Sequence, residues 1–366
     1  MRRVKEEGDE KVRERIERVR KELEARQLDA LFVADPDNRR YLSGFTGTSG
    51  YVVVGRQEGV FLTDFRYVEQ AQIQVQGLRV VRHGAQMVET LSEVLKEWGV
   101  QVLGFEQEHL TVGTWERLKT ALDPIRLEGT SGLVEELRMV KDDRELAKIR
   151  KAAAIADQAF RTVLDHVRPG VRELDLARVL ERTMEDLGAE GPSFETIVAS
   201  GHRSALPHGV ASQKTVEIGD LVTFDFGCVY EGYCSDLTRT VAVGRVDDRR
   251  RRIYEVVLEA QQKALQDLRP GMTGREADAL ARRVIEDAGY GESFGHSLGH
   301  GVGLAIHENP RLAAQSEEVL RPGMVVTVEP GIYLPGVGGV RIEDDVVITA
   351  EGCTRLTFSP KELLIL

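Results

Sequence analysis

An internal repeat in the C-terminal part of the chain constrains the fold more than any other sequence feature. The tripeptide Arg-Pro-Gly begins at Arg168 and again at Arg269, 101 residues later, and each copy precedes a helical pattern. Further along, IGDLVTFDFG (218–227) aligns with PGMVVTVEPG (322–331) at an offset of 104, carboxylate against carboxylate. Because the offsets differ by a few residues, we interpret the repeat as a diverged duplication, with coincidence as the alternative. A duplication predicts two related halves that bring their carboxylates together.

The first 130 residues have a different organisation, in which helical and strand patterns alternate. After ten polar, unpatterned residues, apolar side chains at helical spacing predict an amphipathic helix over 11–27. We expect a mixed α/β domain at 1–130 and, after the segment GTSG, a second domain at 131–366 that opens with a long charged helix at 142–167. Within the first domain the patterns predict strands at 29–34, 51–55, 60–63, 78–82, 100–106 and 124–127, and helices at 67–75, 86–98 and 112–122.

The length and the charge of the chain limit its class of function. At roughly 150 residues per domain, 366 residues suffice for about two domains. The 49 basic and 60 acidic residues give a net charge of −11, which argues against nucleic-acid and anionic-membrane partners. No run approaches the roughly 20 apolar residues of a membrane span, and the chain starts with charged residues where a signal peptide is apolar. We therefore expect a cytoplasmic protein.

Each repeat carries a predicted β-hairpin with one acid on each strand. These acids are Asp225 and Asp236 in the first hairpin and Glu329 and Glu343 in the second. Side chains at opposite positions of paired strands have Cβ atoms about 4.5–5.5 Å apart. Carboxylates at that separation among apolar neighbours repel one another unless positive charge lies between them.

Two explanations account for the burial of four acids. Arg239 and Arg341 are the basic residues close by in the sequence, and they could neutralise the acids directly. Two divalent cations would instead supply four positive charges, and carboxylate ligands suit Mn²⁺, Co²⁺ or Zn²⁺ at a separation of about 3.5–4 Å. The neutral imidazole of His300 would complete such a ligand set. We favour the dinuclear metal site.

The histidines cluster in the same part of the chain. A single histidine is more often structural than catalytic, but GHSLGHGVGLAIHENP places three of them within twelve residues among glycines. The motifs LPHGV and LGHGV also pair His208 with His300 in the repeat, at an offset of 92 that requires a gap. Five of the eight histidines lie between residues 202 and 307: His202, His208, His296, His300 and His307.

Taken together, the motifs resemble one enzyme family. LPHG, DFGCVYEGYCSDLTRT, GHGVGLAIHENP, VEPGIY and VRIEDD occur in the order typical of the pita-bread metallopeptidases, over roughly residues 130–366. The resemblance is to the branch of Xaa-Pro dipeptidases (prolidases) and Xaa-Pro aminopeptidases, and FTGTSG and LTDFRYVEQA resemble their small domain more weakly. It implies an α/β (α+β) chain with a small mixed creatinase/prolidase-like N-terminal domain, followed by a pseudo-twofold pita-bread catalytic domain. Methionine aminopeptidases usually lack the small domain, and creatine amidinohydrolases lack the full metal set.

The resemblance also implies roles for individual residues. His208 and His307 would act on either side of the scissile bond, binding substrate and stabilising the tetrahedral intermediate, and Glu329 would carry the proton from water to the leaving nitrogen. Asp236 and Glu343 would span a pair of divalent ions, which are Mn²⁺, Co²⁺ or Zn²⁺. The implied metal ligands are Asp225, Asp236, His300, Glu329 and Glu343.

Three further residues are candidates for positioning or substrate contact. Arg341 lies two residues before Glu343, where it would orient Asp236 or the substrate carboxylate or else form a structural salt bridge. Tyr333 would line the proline pocket or pack, and we favour packing. Arg66 of the small domain, like His208, would bind the free carboxylate of a dipeptide.

The implied reaction is hydrolysis of the Xaa-Pro bond of dipeptides by a hydroxide that two metal ions generate from water. Proline leaves as a ring nitrogen without an N–H, which calls for a specialised pocket. An Xaa-Pro aminopeptidase acting on longer peptides is the alternative, and it would leave the cleft open beyond the proline. A metal-free binding module of the same fold is a third possibility. The family usually forms homodimers in which the small domain of one chain approaches the site of the other.

Overall fold

The chain divides into two units that are each compact. The structure, a computed structural model, describes residues 2–366 and the side chains from residue 10 onward. The units are Met1–Arg138 and Met139–Leu366, so the division falls within a helix at Leu133–Met139, later than the predicted boundary near residue 130. No helix of the described residues combines the length and the apolar character that a membrane crossing requires.

The first unit is built around one six-stranded mixed sheet. The elements are α1 (Arg2–Ala25), β1 (Ala30–Val33), α2 (Pro36–Ser43), β2 (Tyr51–Gly55), β3 (Gly59–Thr63), α3 (Val68–Gln74), β4 (Arg79–Arg82), α4 (Met87–Glu97), β5 (Val102–Glu106), α5 (Val112–Ala121), β6 (Arg126–Thr130) and α6 (Leu133–Met139). The strand order is β4-β3-β2-β1-β5-β6, in which β1 pairs antiparallel with β2 and parallel with β5. The apolar core of the unit joins the strands to α4 and α5 through Leu91, Leu95 and Leu118.

Three of these helices differ from the prediction, and one of them is α6, for which no helix was predicted. α1 begins at Arg2 rather than at residue 11, so the helix extends through the segment that lacks an apolar pattern. α2 is absent from the prediction although its signals are present in the sequence. Asp35 caps its first turn by accepting two backbone N–H bonds, Pro36 follows the cap, and Gly44 ends the helix with a φ of 74°. The mixed α/β class predicted for this unit is confirmed.

The second unit consists of two helix pairs and a set of small antiparallel sheets. Its helices are α7 (Asp143–Leu164), α8 (Glu173–Asp186), α9 (Asp248–Asp267) and α10 (Gly274–Asp287). Its strands are β7 (Gly191–Pro192), β8 (Ile197–Ser200), β9 (Leu221–Phe226), β10 (Cys228–Tyr230), β11 (Tyr233–Cys234), β12 (Leu237–Ala242), β13 (Gly299–Gly301), β14 (Glu308–Leu312), β15 (Val325–Val328), β16 (Gly331–Leu334), β17 (Gly338–Arg341), β18 (Asp344–Ile348) and β19 (Cys353–Arg355).

The two halves of this unit repeat one arrangement. In the first half the sheet order is β12-β9-β8, and α7 and α8 bury their apolar faces against it. In the second half β18, β15 and β13 follow in the same order within a five-stranded sheet, with α9 and α10 packed against them. Gly170 and Gly271, which end the two Arg-Pro-Gly copies, donate equivalent 2.8 Å backbone hydrogen bonds to Val216 and Leu320. The pseudo-twofold architecture is therefore visible in both topology and hydrogen bonding.

One predicted correspondence between the halves is wrong. His300 lies on β13, where its backbone N–H donates to Thr327 Oγ1 at 3.1 Å. Thr223 is the counterpart of Thr327, and its partner on β8 is Ala199. His208 instead lies in a loop beyond β8, after a short 3₁₀ helix at Gly201–Ala205. The motifs LPHGV and LGHGV are alike in sequence but occupy different places in the two halves.

The halves meet where β12 and β18 approach each other. The N–H of Glu343 donates to the carbonyl of Thr238 at 3.1 Å, and the N–H of Asp236 donates to Asp345 Oδ2 at 2.8 Å. Gly227, at the end of β9, allows the chain to pass close to Ser235, because a Cβ at this glycine would lie 1.8 Å from the Ser235 carbonyl oxygen. Close backbone packing therefore holds the hairpin that leads to Asp236.

Replacement of Gly227 with alanine is expected to destabilise the second unit by about 1–3 kcal/mol, because the new methyl group cannot be accommodated without a backbone shift. Thermal unfolding followed by circular dichroism measures the loss. Gly352→Ala is the matched control, since its Cβ would meet nothing closer than 3.6 Å, and it should change stability by less than about 0.5 kcal/mol. Equal melting temperatures for the two variants would contradict the expectation.

Candidate metal centre

A cavity of about 750 Å³ in the second unit collects nearly all of the residues singled out by the sequence. Among the residues to which the resemblance assigns a role, Arg66 is the one that does not line it. It lies in the first unit, its side chain is 61% exposed, and it donates to Asp64 Oδ2 at 2.8 Å. The predicted residues that line the cavity are His208, Asp225, Asp236, His300, His307, Glu329, Tyr333, Arg341 and Glu343.

The strand register brings the first pair of acids to one face, although not directly opposite each other. Asp225 on β9 pairs with Thr238 on β12, and Leu237 pairs with Phe226. Asp236 precedes Thr238 by two residues and is therefore the diagonal neighbour of Asp225 on the same face of the sheet. The predicted opposition is thus shifted by two residues, which leaves both carboxylates directed to the same side.

The second pair of acids does lie at opposite positions. Val328 pairs with Asp344 on one side of the pair, and Gly331 pairs with Arg341 on the other. The unchanged register between these pairs places Glu329 opposite Glu343. The interruption between the β15–β18 and β16–β17 ladders falls at these two residues, so their side chains lie at the junction of two sheets.

His300 joins these acids from β13. Its Nε2 atom lies 3.3 Å from Glu329 Oε1 and 3.7 Å from Asp236 Oδ2, while Nδ1 lies 3.1 Å from the carbonyl oxygen of Gly301. Burial lowers the pKa of His300 to about 3, so its imidazole is neutral. A neutral imidazole that donates from Nδ1 to a carbonyl presents the lone pair of Nε2 to the carboxylates.

Two of the carboxylates have oxygens that the protein leaves without a partner. Asp236 Oδ1 and Glu343 Oε1 are buried and accept no hydrogen bond from any described residue. Burial first, and neighbouring acids second, raise the pKa of both side chains well above the ordinary carboxylic range. The same causes raise the pKa of Glu329 to about 7. The arrangement lacks positive charge at its centre.

The donor atoms fit a divalent metal ion. Oxygens of Asp236 and Glu343 and a nitrogen of His300 lie within 4.8 Å of one another, and all three residues are buried. Carboxylate oxygen and imidazole nitrogen are ligands for Mn²⁺, Co²⁺ and Zn²⁺. A cation here would partner the two unpaired oxygens and the Nε2 lone pair at once, so the residues present fit the metal that the motifs predict.

Arg341 contacts Asp225 rather than Asp236. Its Nη2 donates to Asp225 Oδ2, and its Nε donates to Thr238 Oγ1 at 3.1 Å. Thr238 Oγ1 in turn donates to Glu343 Oε2 at 2.5 Å. Of the roles proposed for Arg341, the structure therefore contains an ion pair, formed with a different acid. One guanidinium connects acids of both halves.

Tyr333 is part of the cavity wall and forms hydrogen bonds through its hydroxyl group. That hydroxyl accepts from Arg341 Nη1 at 2.8 Å and lies 2.9 Å from His296 Nε2. Burial raises the pKa of Tyr333 to about 12 and lowers that of His296 to about 4, so both side chains are neutral near pH 7. The contact with His296 was not predicted from the sequence, although His296 belongs to the histidine cluster.

The two histidines predicted to act on substrate occupy different settings. His307 packs edge-on against His300, with ring centroids 4.4 Å apart and an interplanar angle of 75°. Burial lowers the pKa of His307. Next to it, Glu308 accepts from Lys141 Nζ at 2.7 Å in a buried ion pair. His208 lies in the loop after β8.

Sequence reasoning missed two charged residues at this site. Asp345 is fully buried and accepts the N–H of Asp236, and its other oxygen has no partner among the described residues. The sequence could have indicated Asp345, because it lies two residues after Glu343 and residues two apart on a strand lie on the same face. Arg311, paired with His300 in the β13–β14 register, is exposed in the cavity wall. No sequence pattern separates it from other surface arginines.

The sequence also matches two known families. The profile of Metallopeptidase family M24 matches residues 147–350, and that of the Creatinase/Prolidase N-terminal domain matches residues 15–140. The chain belongs to metallopeptidase family M24. Membership confirms the family, the enzyme class and the pita-bread fold expected from the motifs, and it implies the use of a divalent metal.

Relatives and solved structures are similar to this M24 chain along nearly its whole length. An Xaa-Pro dipeptidase from Pyrococcus furiosus is 43% identical over 96% of this chain and 100% of its own. The structure of an Xaa-Pro dipeptidase from Bacillus anthracis is 52% identical, with a TM-score of 0.96 over 97% of this chain and 100% of that chain. An X-Pro aminopeptidase from Thermotoga maritima is 39% identical, with a TM-score of 0.88 over 93% and 98%.

Removal of metal is expected to make the stability of the protein fall as pH rises. A carboxyl group whose pKa is raised on folding stabilises the protein at pH values below its ordinary pKa, and this stabilisation is lost as the pH rises to the folded pKa. For Glu329 the loss occurs between pH 4.5, its ordinary pKa, and about pH 7, its pKa in the folded protein. The melting temperature of chelator-treated protein should therefore fall over this range, and Mn²⁺ should restore it more at pH 7.5 than at pH 5. Mn²⁺ at a free concentration of about 100 times its Kd would add about 2.7 kcal/mol to the free energy of unfolding.

The variant Glu329→Gln provides the control for this experiment, because it removes one raised carboxyl pKa and should flatten the pH dependence. A melting temperature that rises between these pH values in the metal-free protein would contradict the expectation. An increase in melting temperature on addition of Mn²⁺ that is equal at pH 5 and pH 7.5 would contradict it as well.

Proposed function

We propose that this M24 metallopeptidase is an Xaa-Pro dipeptidase that uses two divalent metal ions. The observation that carries the proposal is the buried cluster of Asp236, His300 and Glu343, whose donor atoms converge and in which two carboxylate oxygens have no partner among the described residues. Dipeptidase relatives similar over nearly the full chain support the choice of substrate. A cytoplasmic location and a homodimeric state stay predictions.

Five residues form the proposed ligand set for Mn²⁺, Co²⁺ or Zn²⁺. When bound, the two ions supply Lewis-acid activation of a water molecule and of the scissile carbonyl group. Four carboxylates match their four positive charges, and a neutral imidazole adds no further charge. Arg341 positions one of these ligands through its ion pair with Asp225. The proposed ligands are Asp225, Asp236, His300, Glu329 and Glu343.

The chain's own residues would manage the protons and the developing charge. Glu329 is the proposed general base, because its carboxylate lines the cavity beside His300 and can accept a proton from water and return it to the leaving proline nitrogen. His307, which packs on His300, and His208, which also lines the cavity, are the proposed donors to the substrate carbonyl and its oxyanion.

The proposed site for the proline ring is an aromatic wall of the cavity. His296 and Tyr333 line this part of the cavity, with ring centroids 5.5 Å apart. The hydroxyl of Tyr333 is already bonded to Arg341, which leaves the ring carbons of these two side chains for contact with an apolar ligand. A pyrrolidine ring that carries no N–H fits such a surface.

Arg311 supports dipeptides over longer peptides. Its backbone belongs to the β13–β14 ladder, whereas its guanidinium is exposed in the cavity wall and forms no hydrogen bond or ion pair with any described residue. A dipeptide ends in a carboxylate immediately after the proline, whereas a longer peptide has a neutral amide there. A guanidinium without a partner gains a charge-assisted hydrogen bond only from the dipeptide. The aminopeptidase alternative keeps its own support in the structure from Thermotoga maritima.

A substrate panel tests this choice. The Mn²⁺-loaded protein should hydrolyse Ala-Pro and Met-Pro with a higher kcat/KM than Xaa-Pro-Xaa tripeptides. Arg311→Met should raise the KM for Ala-Pro by roughly 10-fold or more, as loss of a charged partner does, and should leave the KM for Ala-Pro-amide unchanged. Arg275→Met, which removes an exposed arginine of α10, should change neither value. Faster hydrolysis of tripeptides would favour the aminopeptidase.

Loss of a proposed ligand tests the metal centre itself. Asp236→Asn should lower kcat by more than roughly 100-fold, which is the loss typical of residues that only support ligands, and should reduce the metal content measured by mass spectrometry below two ions per chain. Asp175→Asn, at a half-exposed position on α8, is the control for charge and should keep both the kcat and the metal content of the wild type. Full activity of Asp236→Asn would contradict the dinuclear assignment.

A further inference from the structure

The loop that carries His208 is closed at its base by a single buried carboxylate. Glu173, the first residue of α8, is fully buried. Its Oε1 accepts the N–H and the hydroxyl of Ser200 at 2.7 and 2.8 Å. Its Oε2 accepts the N–H and the hydroxyl of Ser212 at 3.1 and 2.6 Å. The two serines bracket the loop, so one side chain ties its ends together.

Arg203 connects this carboxylate to the far side of the loop. Its Nη1 donates to Glu173 Oε2, and its Nη2 donates to the carbonyl oxygen of Val210 at 2.8 Å. The side chain is 19% exposed and does not line the cavity. His208 lies between Arg203 and Val210 in the chain, so the guanidinium spans the segment that carries the imidazole.

A third attachment docks the same loop on β17. The hydroxyl of Ser204 accepts the N–H of Gly339 at 2.8 Å, and the carbonyl of Pro207 accepts from Arg341 Nη1 at 3.3 Å. A Cβ at Gly339 would lie 2.2 Å from the carbonyl oxygen of Ser204, so the two backbones are in direct contact. The loop is therefore fixed between α8 on one side and the strand that carries Arg341 on the other.

We infer that Arg203, held by Glu173, is a positioning residue that fixes the His208 imidazole in the cavity wall. The inference rests on the proposed function, in which His208 contacts the substrate of Xaa-Pro hydrolysis. Loss of the guanidinium leaves Glu173 buried without its cation and the Val210 carbonyl without its donor, so the loop relaxes away from its docked position. A displacement of about 1 Å at a reacting group can lower a rate roughly 100-fold.

A double-mutant cycle on the metal-loaded enzyme tests the inference. Arg203→Met should lower kcat/KM for Ala-Pro by roughly 10- to 100-fold, with the metal content unchanged. In a His208→Ala background the same substitution should have no further effect, because the residue through which it acts is gone. Arg203→Lys should recover part of the loss, since lysine keeps the charge beside Glu173 but lacks the forked pair of nitrogens that reaches Glu173 and the Val210 carbonyl at once. Arg178→Met, an exposed arginine of α8, should stay within twofold of wild type.

Hydrogen exchange over residues 200–212 provides a readout that needs no substrate. Exchange there should be faster in Arg203→Met and unchanged in His208→Ala. An equal loss of kcat/KM in both backgrounds, or unchanged exchange in Arg203→Met, would overturn the positioning role. A wild-type enzyme that cleaves no Xaa-Pro dipeptide would contradict the proposed function alone, and the exchange result would still decide the loop inference. If Arg203→Met does not fold, Arg203→Lys carries both measurements.

Discussion

Repulsion among buried carboxylates is the constraint on which the rest of the catalytic unit depends. Asp236, Glu329 and Glu343 lie with Asp225 around one cavity, and among the described residues the one guanidinium bonded to any of these four carboxylates is that of Arg341, on Asp225. Burial of ionised acids with so little compensation costs far more than a hydrogen bond returns. The fold can hold them because backbone ladders on both sides fix the strands, and because a divalent cation can occupy the space between them.

The pleat of β18 shows how the fold assigns different tasks to adjacent acids. Asp344 faces away from the cavity, where Arg239 and Lys361 keep its pKa below the ordinary value despite complete burial. Glu343 and Asp345, one residue to either side, face the opposite way, and their pKa values are raised. Alternation along a strand thus separates a neutralised acid that anchors the structure from two acids on the opposite face that have no basic partner among the described residues, of which Glu343 lines the cavity and Asp345 holds the backbone of Asp236.

The sequence could predict features that depend on local spacing. Alignment of the repeats matched Asp225 with Glu329, and the hairpin predicted in the second repeat placed Glu329 opposite Glu343. The diagonal offset of Asp225 and Asp236 needed the exact strand register, and the partner of Arg341 needed the fold, because Asp225 lies 116 residues away in the chain. The loop of His208 shows the same limit, since a five-residue motif carries no information about which strand it joins.

The duplication produced two halves that are alike in backbone and unlike in chemistry. His300 on β13 occupies the position that Ala199 has in the first half, so the imidazole of the candidate metal ligand set comes from the second half alone. The start of α8 carries Glu173, which holds the His208 loop, whereas the start of α10 carries Gly274. A side chain at Gly274 is excluded, because its Cβ would lie 2.1 Å from the carbonyl oxygen of Arg311 on β14. The place that Glu173 occupies in the first half is therefore taken in the second half by β14, the strand that carries Arg311. Each half can in this way place a different cationic or imidazole group around the shared carboxylates.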